Sequence, residues 1–273
     1  VYQPEFRARG YIELAQIDLA QGKWRSARTN LDAAELLDPN NTMEYRALLS
    51  AAPFLDMGSE ELRSLHETLE RWDPEESPVG TISNPWLLPH ENLHPHLRLY
   101  LLGLLSARLG DRESSEQFAD MLAALNGSSE GSAVAEHLSW NIRAHADISD
   151  GKHEQALEKL WKGRLQGVSW EKYGFSGFFS QMYERYARAE LLRAVGQDAE
   201  ALQWYEIAGR LASYDVVYLA PSYLGRAEIY EQLGDKEMAI EYYRRFTELW
   251  KECDQELRPI LERARISLAR LEG

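Results

Sequence analysis

The sequence predicts an all-α fold, a right-handed solenoid of stacked antiparallel helix pairs. Apolar residues recur at helical spacing along nearly the whole chain. Short polar turns carrying a glycine separate these stretches, and large and small residues stand at fixed distances from the glycines. A helix pair of this kind cannot bury its apolar face alone and must stack on its neighbours. The turn glycines are Gly22, Gly58, Gly110, Gly151, Gly196 and Gly234.

The first pair shows the pattern most completely. An aromatic residue and two apolar ones precede Gly22, and the second helix ends at Pro39, because proline cannot continue a helix. The pairs around Gly151, Gly196 and Gly234 share its register, whereas the pair around Gly110 matches in part. Gly58 fits worst, because charged residues occupy the positions that should be small or apolar. The first pair's pattern consists of Tyr11, Leu14, Ala15, Trp24, Ala27, Leu31 and Ala34.

These residues resemble the tetratricopeptide repeat family over most of the chain, strongly at both ends and weakly between about residues 43 and 100. In the first and last repeats, three residues depart from the family pattern. Asp18 replaces the second aromatic of the first repeat, Arg226 replaces a leucine, and Lys251 replaces a proline. The resemblance implies a non-catalytic scaffold that binds a peptide or protein partner.

Prolines divide the predicted array. Five of the ten prolines fall between Trp72 and Pro95, which forbids a long helix there. We therefore expect N-terminal helix pairs over residues 1–71, a proline-rich loop over 72–96 and a C-terminal array over 97–273. The segment from Asp254 to Leu271 is a single amphipathic helix, which we interpret as the cap of the array. It equally suits binding of a partner helix.

A second irregular stretch, residues 167–180, is rich in aromatic side chains. One interpretation is a loop whose rings fill gaps between two stacked pairs. The alternative is a rigid patch that receives a peptide or another subunit, because aromatic residues dominate binding hot spots. The sequence does not separate the two. The residues of this aromatic patch are Trp170, Tyr173, Phe175 and Phe178.

The composition excludes several classes of partner. The net charge of −14 disfavours nonspecific binding to nucleic acid or to an anionic membrane, which need a basic surface. No apolar run approaches the roughly 20 residues that span a bilayer, so we predict no direct membrane insertion. Cys253 is the only cysteine, which excludes an internal disulfide and leaves the compartment open.

One short segment suggests a metal site. His90, His94 and His96 lie within seven residues and could supply zinc or nickel ligands. The alternative is a loop whose polar groups cap the helix beginning near Leu97. Two prolines restrict the segment, and no distant motif completes a site. We predict no cofactor and no enzymatic activity, because phosphate-binding loops and nucleophile elbows are absent.

The family resemblance also implies a peptide-binding groove. In that family the first helix of each pair lines a concave face that contacts extended peptides. Transferred by register, the inward positions of this chain carry amide, imidazole, carboxylate, guanidinium and phenol groups. The alternative is a polar concave surface without a ligand. The predicted groove residues are Tyr100, Asn141, His145, Tyr186, Glu190 and Arg193, with Glu228 and Glu231 following in the last repeat.

A wider resemblance is to the C-terminal repeat regions of large bacterial signalling proteins, carried by residues 84–87, 94–98 and 241–250. It implies a sensing or docking region that is a piece of a longer polypeptide, either in the cytoplasm or as the extracytoplasmic part of a membrane-anchored protein. The chain begins at Val1 without an initiator methionine, which agrees with that expectation. Two alternatives stay open: a structural subunit of a larger assembly, and a helical metal-dependent enzyme using the histidine-rich loop. The oligomeric state is not predicted.

Overall fold

The computed structural model describes residues 4–73, 93–125, 129–163, 181–210 and 213–273. Over these ranges the chain is helical and contains no strand, which confirms the all-α class. The helices are α1 Pro4–Ala20, α2 Trp24–Glu35, α3 Pro39–Ser50, α4 Ser59–Arg71, α5 His94–Arg108, α6 Arg112–Ala123, α7 Ser129–Ser149, α8 His153–Lys162, α9 Met182–Ala194, α10 Asp198–Tyr205, a 3₁₀ helix Ser213–Tyr218, α11 Leu219–Gln232, α12 Lys236–Leu249 and α13 Arg258–Glu272.

Five turn glycines end their helices in the same way. Each has a positive φ between 72° and 78°, a conformation that glycine adopts without a steric penalty. At Gly22 the glycine amide donates to the carbonyl of Leu19 at 2.9 Å, and the amide of Lys23 donates to the backbone carbonyl of Asp18 at 2.8 Å. The other four turns repeat these two bonds, which satisfy the last carbonyls of the helix. Gly58 differs: it precedes α4 with a φ of −59°.

The chain forms two compact units. One comprises Val1–Thr42, Phe54–Asp56 and Ser180–Gly273; the other comprises Met43–Pro53 and Met57–Phe179. We call them the first and second unit. The predicted division at residues 72 and 96 stays a prediction, and most of the proline-rich loop, residues 74–92, lies outside the described residues.

In the second unit, α5 pairs with α6 and α7 pairs with α8. The two first helices, α5 and α7, also pack on each other, and α6 packs on α7. Gly103 makes this approach close, because a Cβ there would lie 2.7 Å from the side chain of Ile142. The helix α4 packs on α5, where Arg98 Nε donates to the carbonyl of Leu69 at 2.9 Å.

In the first unit, α1 pairs with α2, α9 with α10 and α11 with α12. The amphipathic C-terminal helix α13 packs on α12 through Leu257, Leu261 and Ala264, all buried. The opposite face of α13 is solvent-exposed, as its interpretation as a cap requires. The helix α1 also packs on the 3₁₀ helix, so the first pair contacts the C-terminal repeats. Chain order alone does not predict this contact.

No helix among the described residues has the length and apolar character required to cross a membrane.

Candidate functional site

Three of the predicted groove residues lie inside the second unit. Tyr100, Asn141 and His145 are buried, with Asn141 only 3% exposed. Asn141 was expected on a polar concave surface, and this expectation is wrong. The sequence register assigned these side chains to the first helices of their pairs, α5 and α7. It could not show how deeply neighbouring helices bury them.

Asn141 and its neighbour His137 join α7 to the end of α8. The Asn141 side-chain amide donates to the carbonyl of His137 at 3.2 Å, one turn earlier. The Nδ1 of His137 donates in turn to the carbonyl of Gly163, directly after α8. A Cβ at Gly163 would lie 2.7 Å from Trp140, so the glycine permits this approach. These polar groups therefore hold two helices together.

His145 is neutral in the folded protein. Burial, followed by the positive charge of Arg108, lowers the pKa of His145 to about 4. The same arginine binds the segment directly after α3, where its guanidinium donates to the carbonyl of Ala52 at 2.8 Å. An imidazole in this environment contributes to packing in the protein interior and not to a ligand-binding surface.

Tyr186 is the buried groove residue of the first unit. Its ring lies 5.1 Å from that of Tyr218 and 6.0 Å from that of Tyr205. Burial, followed by the negative charge of Glu190, raises the pKa of Tyr186 well above its usual value. The ring is thus part of an aromatic core, and its contacts with a ligand would require that core to open.

Glu190 and Arg193, the two remaining predicted residues, are partly exposed on α9. Arg193 forms an ion pair of 2.6 Å with Glu228 of α11. The hydroxyl of Tyr205, on α10, donates to Glu190. Burial and then the charge of Glu190 raise the pKa of Tyr205, so the phenol stays protonated and remains a donor. The two predicted residues are therefore fixed by partners on adjacent helices.

The same arrangement continues on the next helices. The hydroxyl of Tyr243, on α12, donates to Glu231 of α11 at 2.7 Å. Arg270 of α13 forms an ion pair with Glu231. Arg270 was not among the predicted groove residues, although its position on the polar face of the last helix was a usable signal. We name the connected charged residues of α9, α11 and α13 the three-helix network. Its members are Glu190, Arg193, Glu228, Glu231 and Arg270.

The three-helix network is an accessible charged surface with an excess of acid. It contains three carboxylates and two guanidinium groups, and Glu228 and Arg270 are the more exposed of the paired residues. Charged groups near the surface exchange partners at little cost, because exposed ion pairs contribute about 0–1 kcal/mol. The arrangement can therefore bind charged and hydrogen-bonding groups of another molecule.

Arginine recurs at one position, eight residues before the turn glycine. Arg226 illustrates its environment: it is buried, it pairs with Glu206 at 3.2 Å, and its guanidinium lies 4.0 Å from the ring centre of Tyr242. Arg188 likewise lies 4.8 Å from the ring of Trp204. These arginines belong to the packing between helices and not to an exposed site.

The histidine-rich segment is described only in part. His90 lies outside the described residues, His96 is buried, and burial lowers the pKa of His94. The ring of His94 packs against Trp72 at 5.9 Å. Within the described ranges no group of three or more His, Cys, Asp or Glu residues is placed to hold a metal ion. The aromatic patch of Trp170, Tyr173, Phe175 and Phe178 also lies outside the described residues.

A cleft of about 410 Å³ in the second unit is lined by a serine and a histidine, and the histidine also lies near a carboxylate. His66 Nε2 lies 3.1 Å from Ser106 Oγ, and its Nδ1 lies 3.6 Å from Glu70. Nucleophilic catalysis uses this order of groups, but the serine must be open to the substrate. Ser106 is only 2% exposed. The trio therefore supports packing between α4 and α5.

Comparison with protein families identifies one match. The tetratricopeptide repeat model matches residues 220–249, which contain α12 and all but the first residue of α11. Two acidic members of the three-helix network, Glu228 and Glu231, lie inside this segment. Comparisons with curated proteins and with solved structures find no match to the chain.

Proposed function

We propose that this chain, which is related to the tetratricopeptide repeat family through residues 220–249, binds a protein partner over the face that carries the three-helix network. Repeats of this family typically act as non-catalytic interaction scaffolds. The observation that carries the proposal is the ion pair between Arg193 and Glu228, which links two first helices on a partly exposed surface. We accordingly propose a binding role and not a catalytic one.

The chemistry of the network indicates how a partner would bind. The phenols of Tyr205 and Tyr243 hold two carboxylates in fixed orientations. A partner segment with lysine or arginine side chains competes with Arg193 and Arg270 for the acidic groups. Binding then replaces existing ion pairs and leaves no buried carboxylate unpaired, which avoids a large desolvation cost.

Position-specific photo-crosslinking tests this proposal. A photoreactive residue at position 193 or 228 should crosslink to one and the same native partner. The same residue at Leu36, an exposed position directly after α2, should not. With that partner purified, the Arg193→Ala and Glu228→Ala double variant should bind about tenfold more weakly. An unchanged affinity, or crosslinks from position 36 alone, would contradict a role of the three-helix network in partner binding.

We also propose that the chain serves as the docking part of a larger bacterial signalling protein. The support is the sequence resemblance at residues 84–87, 94–98 and 241–250. Mass spectrometry of the native gene product, captured with an antibody against α13, tests this: peptides from an attached output domain are expected, and a product limited to these 273 residues would contradict it.

A further inference from the structure

Two carboxylates of the three-helix network, Glu190 and Glu228, share a single cation. Arg193 forms an ion pair of 2.6 Å with Glu228 Oε2, and it follows Glu190 by three residues on α9. Burial acts to lower the pKa of Arg193. Negative groups that include Glu228 and Glu190 outweigh burial, so this pKa lies above its ordinary value. The guanidinium is therefore close enough to be influenced by both carboxylates, which we name the carboxylate pair.

One negative charge of the carboxylate pair has no cation bonded to it. Among the described residues Glu190 forms no ion pair, and it accepts a hydrogen bond from the neutral hydroxyl of Tyr205. Glu228 bonds to Arg193 through Oε2 alone, so within the same part of the chain its Oε1 has no donor. One positive charge thus faces two negative ones. The carboxylate pair can accept a second cation.

The carboxylate pair is accessible and is held in place from the buried side. The side chains of Glu228 and Arg193 are 36% and 25% exposed, and Glu190 is half-buried. Tyr205 is only 2% exposed. A Cβ at Gly225 of α11 would lie 2.5 Å from Tyr205 Cζ, so this ring is fixed between α9 and α11. Fixing Glu190 before a partner arrives reduces the ordering cost of binding.

This arrangement favours a guanidinium over an ammonium group. A guanidinium carries five N–H donors in a planar fork and can bond to two carboxylates at once, whereas an ammonium is a strongly hydrated point charge. The chain itself places arginine here: Arg193 pairs with Glu228, and Arg270 pairs with Glu231 on the next turn of α11. We propose that the carboxylate pair binds the guanidinium group of an arginine in the partner. This inference rests on the proposed function of the three-helix network and names the chemistry of its partner.

Arg193 and the carboxylate pair then affect binding in opposite directions. The incoming guanidinium donates to Glu228 Oε1 and to Glu190, and it competes with Arg193 for the charge of both groups. Because the two guanidinium groups repel each other, Arg193 lowers the affinity for the partner. Loss of Glu228 should therefore weaken binding, and loss of Arg193 alone should strengthen it.

Selection of random peptides on the immobilised full chain tests the proposal. Counter-selection removes every peptide that also binds the Glu190→Gln and Glu228→Gln double variant, so the remaining peptides require the carboxylate pair. These peptides should share an arginine at one fixed position. A pool that shares another residue there, or that is empty, overturns the proposal.

Affinities of one selected peptide separate this contact from general charge attraction. Citrulline, which keeps the shape of arginine without its charge, should weaken binding to the wild type about 30-fold but binding to Glu228→Gln less than about threefold. Lysine at the same position should weaken binding to the wild type about tenfold. Glu237→Gln is the matched control, because it removes the same charge at an exposed position on α12. Its affinity should stay within about twofold of the wild type.

The Arg193→Gln variant gives the sign of the effect. It should bind the arginine peptide about threefold more tightly, because a like charge is removed. In the Arg193 and Glu228 double variant, the loss at Glu228 outweighs this gain. Circular dichroism of each variant verifies the helical fold. Weaker or unchanged binding by Arg193→Gln, or an equal effect of citrulline on the wild type and on Glu228→Gln, overturns the proposal. Failure of the proposed function is a separate result, since crosslinking from positions 193 and 228 does not depend on which residue the native partner presents.

Discussion

Trp250 Nε1 donates a hydrogen bond to the carbonyl of Ala20 at 3.1 Å, across 230 positions of sequence. Trp250 is completely buried, and the amide of Asp254 donates to the carbonyl of Gly22 at 2.9 Å in the same region. The segment after α12 thus binds the turn between α1 and α2. The Ala20 carbonyl is at the end of α1, where carbonyls lack partners within the helix, and the Gly22 carbonyl belongs to the turn that follows. The first helix pair is consequently stabilised by residues near the end of the chain.

Replacing the indole of Trp250 should destabilise the protein. Trp250→Phe leaves the Ala20 carbonyl buried without its donor and leaves space beside Phe246, so we expect a loss of about 1–3 kcal/mol in the free energy of unfolding. Urea denaturation measures it. Trp161→Phe, the same change at a partly exposed site on α8, should cost less than about 0.5 kcal/mol. Equal losses in the two variants would contradict the role assigned to the indole.

Alanine at Gly22 should be far more damaging than alanine at Gly196. Both glycines have a positive φ, 73° and 77°, so each substitution strains the backbone by about 1–2 kcal/mol. At Gly22 the new Cβ would also lie 2.6 Å from Cys253 Cβ and 3.3 Å from the Trp250 ring, whereas at Gly196 nothing lies within 4 Å. We expect an additional loss of about 1–3 kcal/mol at Gly22.

Thermal and urea denaturation of the two alanine variants compare these losses. Because the backbone strain is common to both, their difference reports the close approach of residues 250–253 to the turn. Similar stabilities of the two variants would show that residues 250–253 move away from the new Cβ at no cost in the free energy of unfolding.

Asn141→Ala should weaken the fold rather than a binding surface. The variant loses the bond from the Asn141 amide to the carbonyl of His137 inside the protein, which should cost about 1–3 kcal/mol of unfolding free energy. Arg193→Ala removes a partly exposed ion pair and should cost less than about 1 kcal/mol. Urea denaturation of both variants provides the comparison. If Asn141→Ala left the free energy of unfolding unchanged, Asn141 would not have the stabilising role that its buried hydrogen bond assigns to it.

The sequence predicted what local chemistry determines. Glycine turns, helix periodicity and the small residues between paired helices act over fewer than about 20 residues, and a positive φ at Gly22 or Gly234 follows from the turn itself. The sequence did not predict the contact of Trp250 with Ala20, because no periodic pattern links distant segments. For the candidate site, register identified Glu190 and Arg193 on α9. It could not distinguish them from Asn141, since the depth of burial depends on which helices pack alongside.

Acid should destabilise the protein through His145. The unfolded chain binds a proton at this residue with a pKa near 6.5, whereas the folded protein does so only near pH 4. Between these values the unfolded state holds more protons, so stability is complete above about pH 6.5 and falls as the pH is lowered. From the pKa difference, His145 alone removes about 2 kcal/mol of unfolding free energy at pH 5 relative to pH 8.

Urea denaturation at a series of pH values measures this effect as a difference between variants. His145→Gln removes the titrating group, so its stability should vary less between pH 8 and pH 5 than that of the wild type, by about 2 kcal/mol. His153→Gln, at the half-buried first residue of α8, is the matched control and should retain the wild-type dependence. If His145→Gln also kept the full acid sensitivity, the proton would bind elsewhere, and the buried neutral imidazole beside Arg108 would not be its cause.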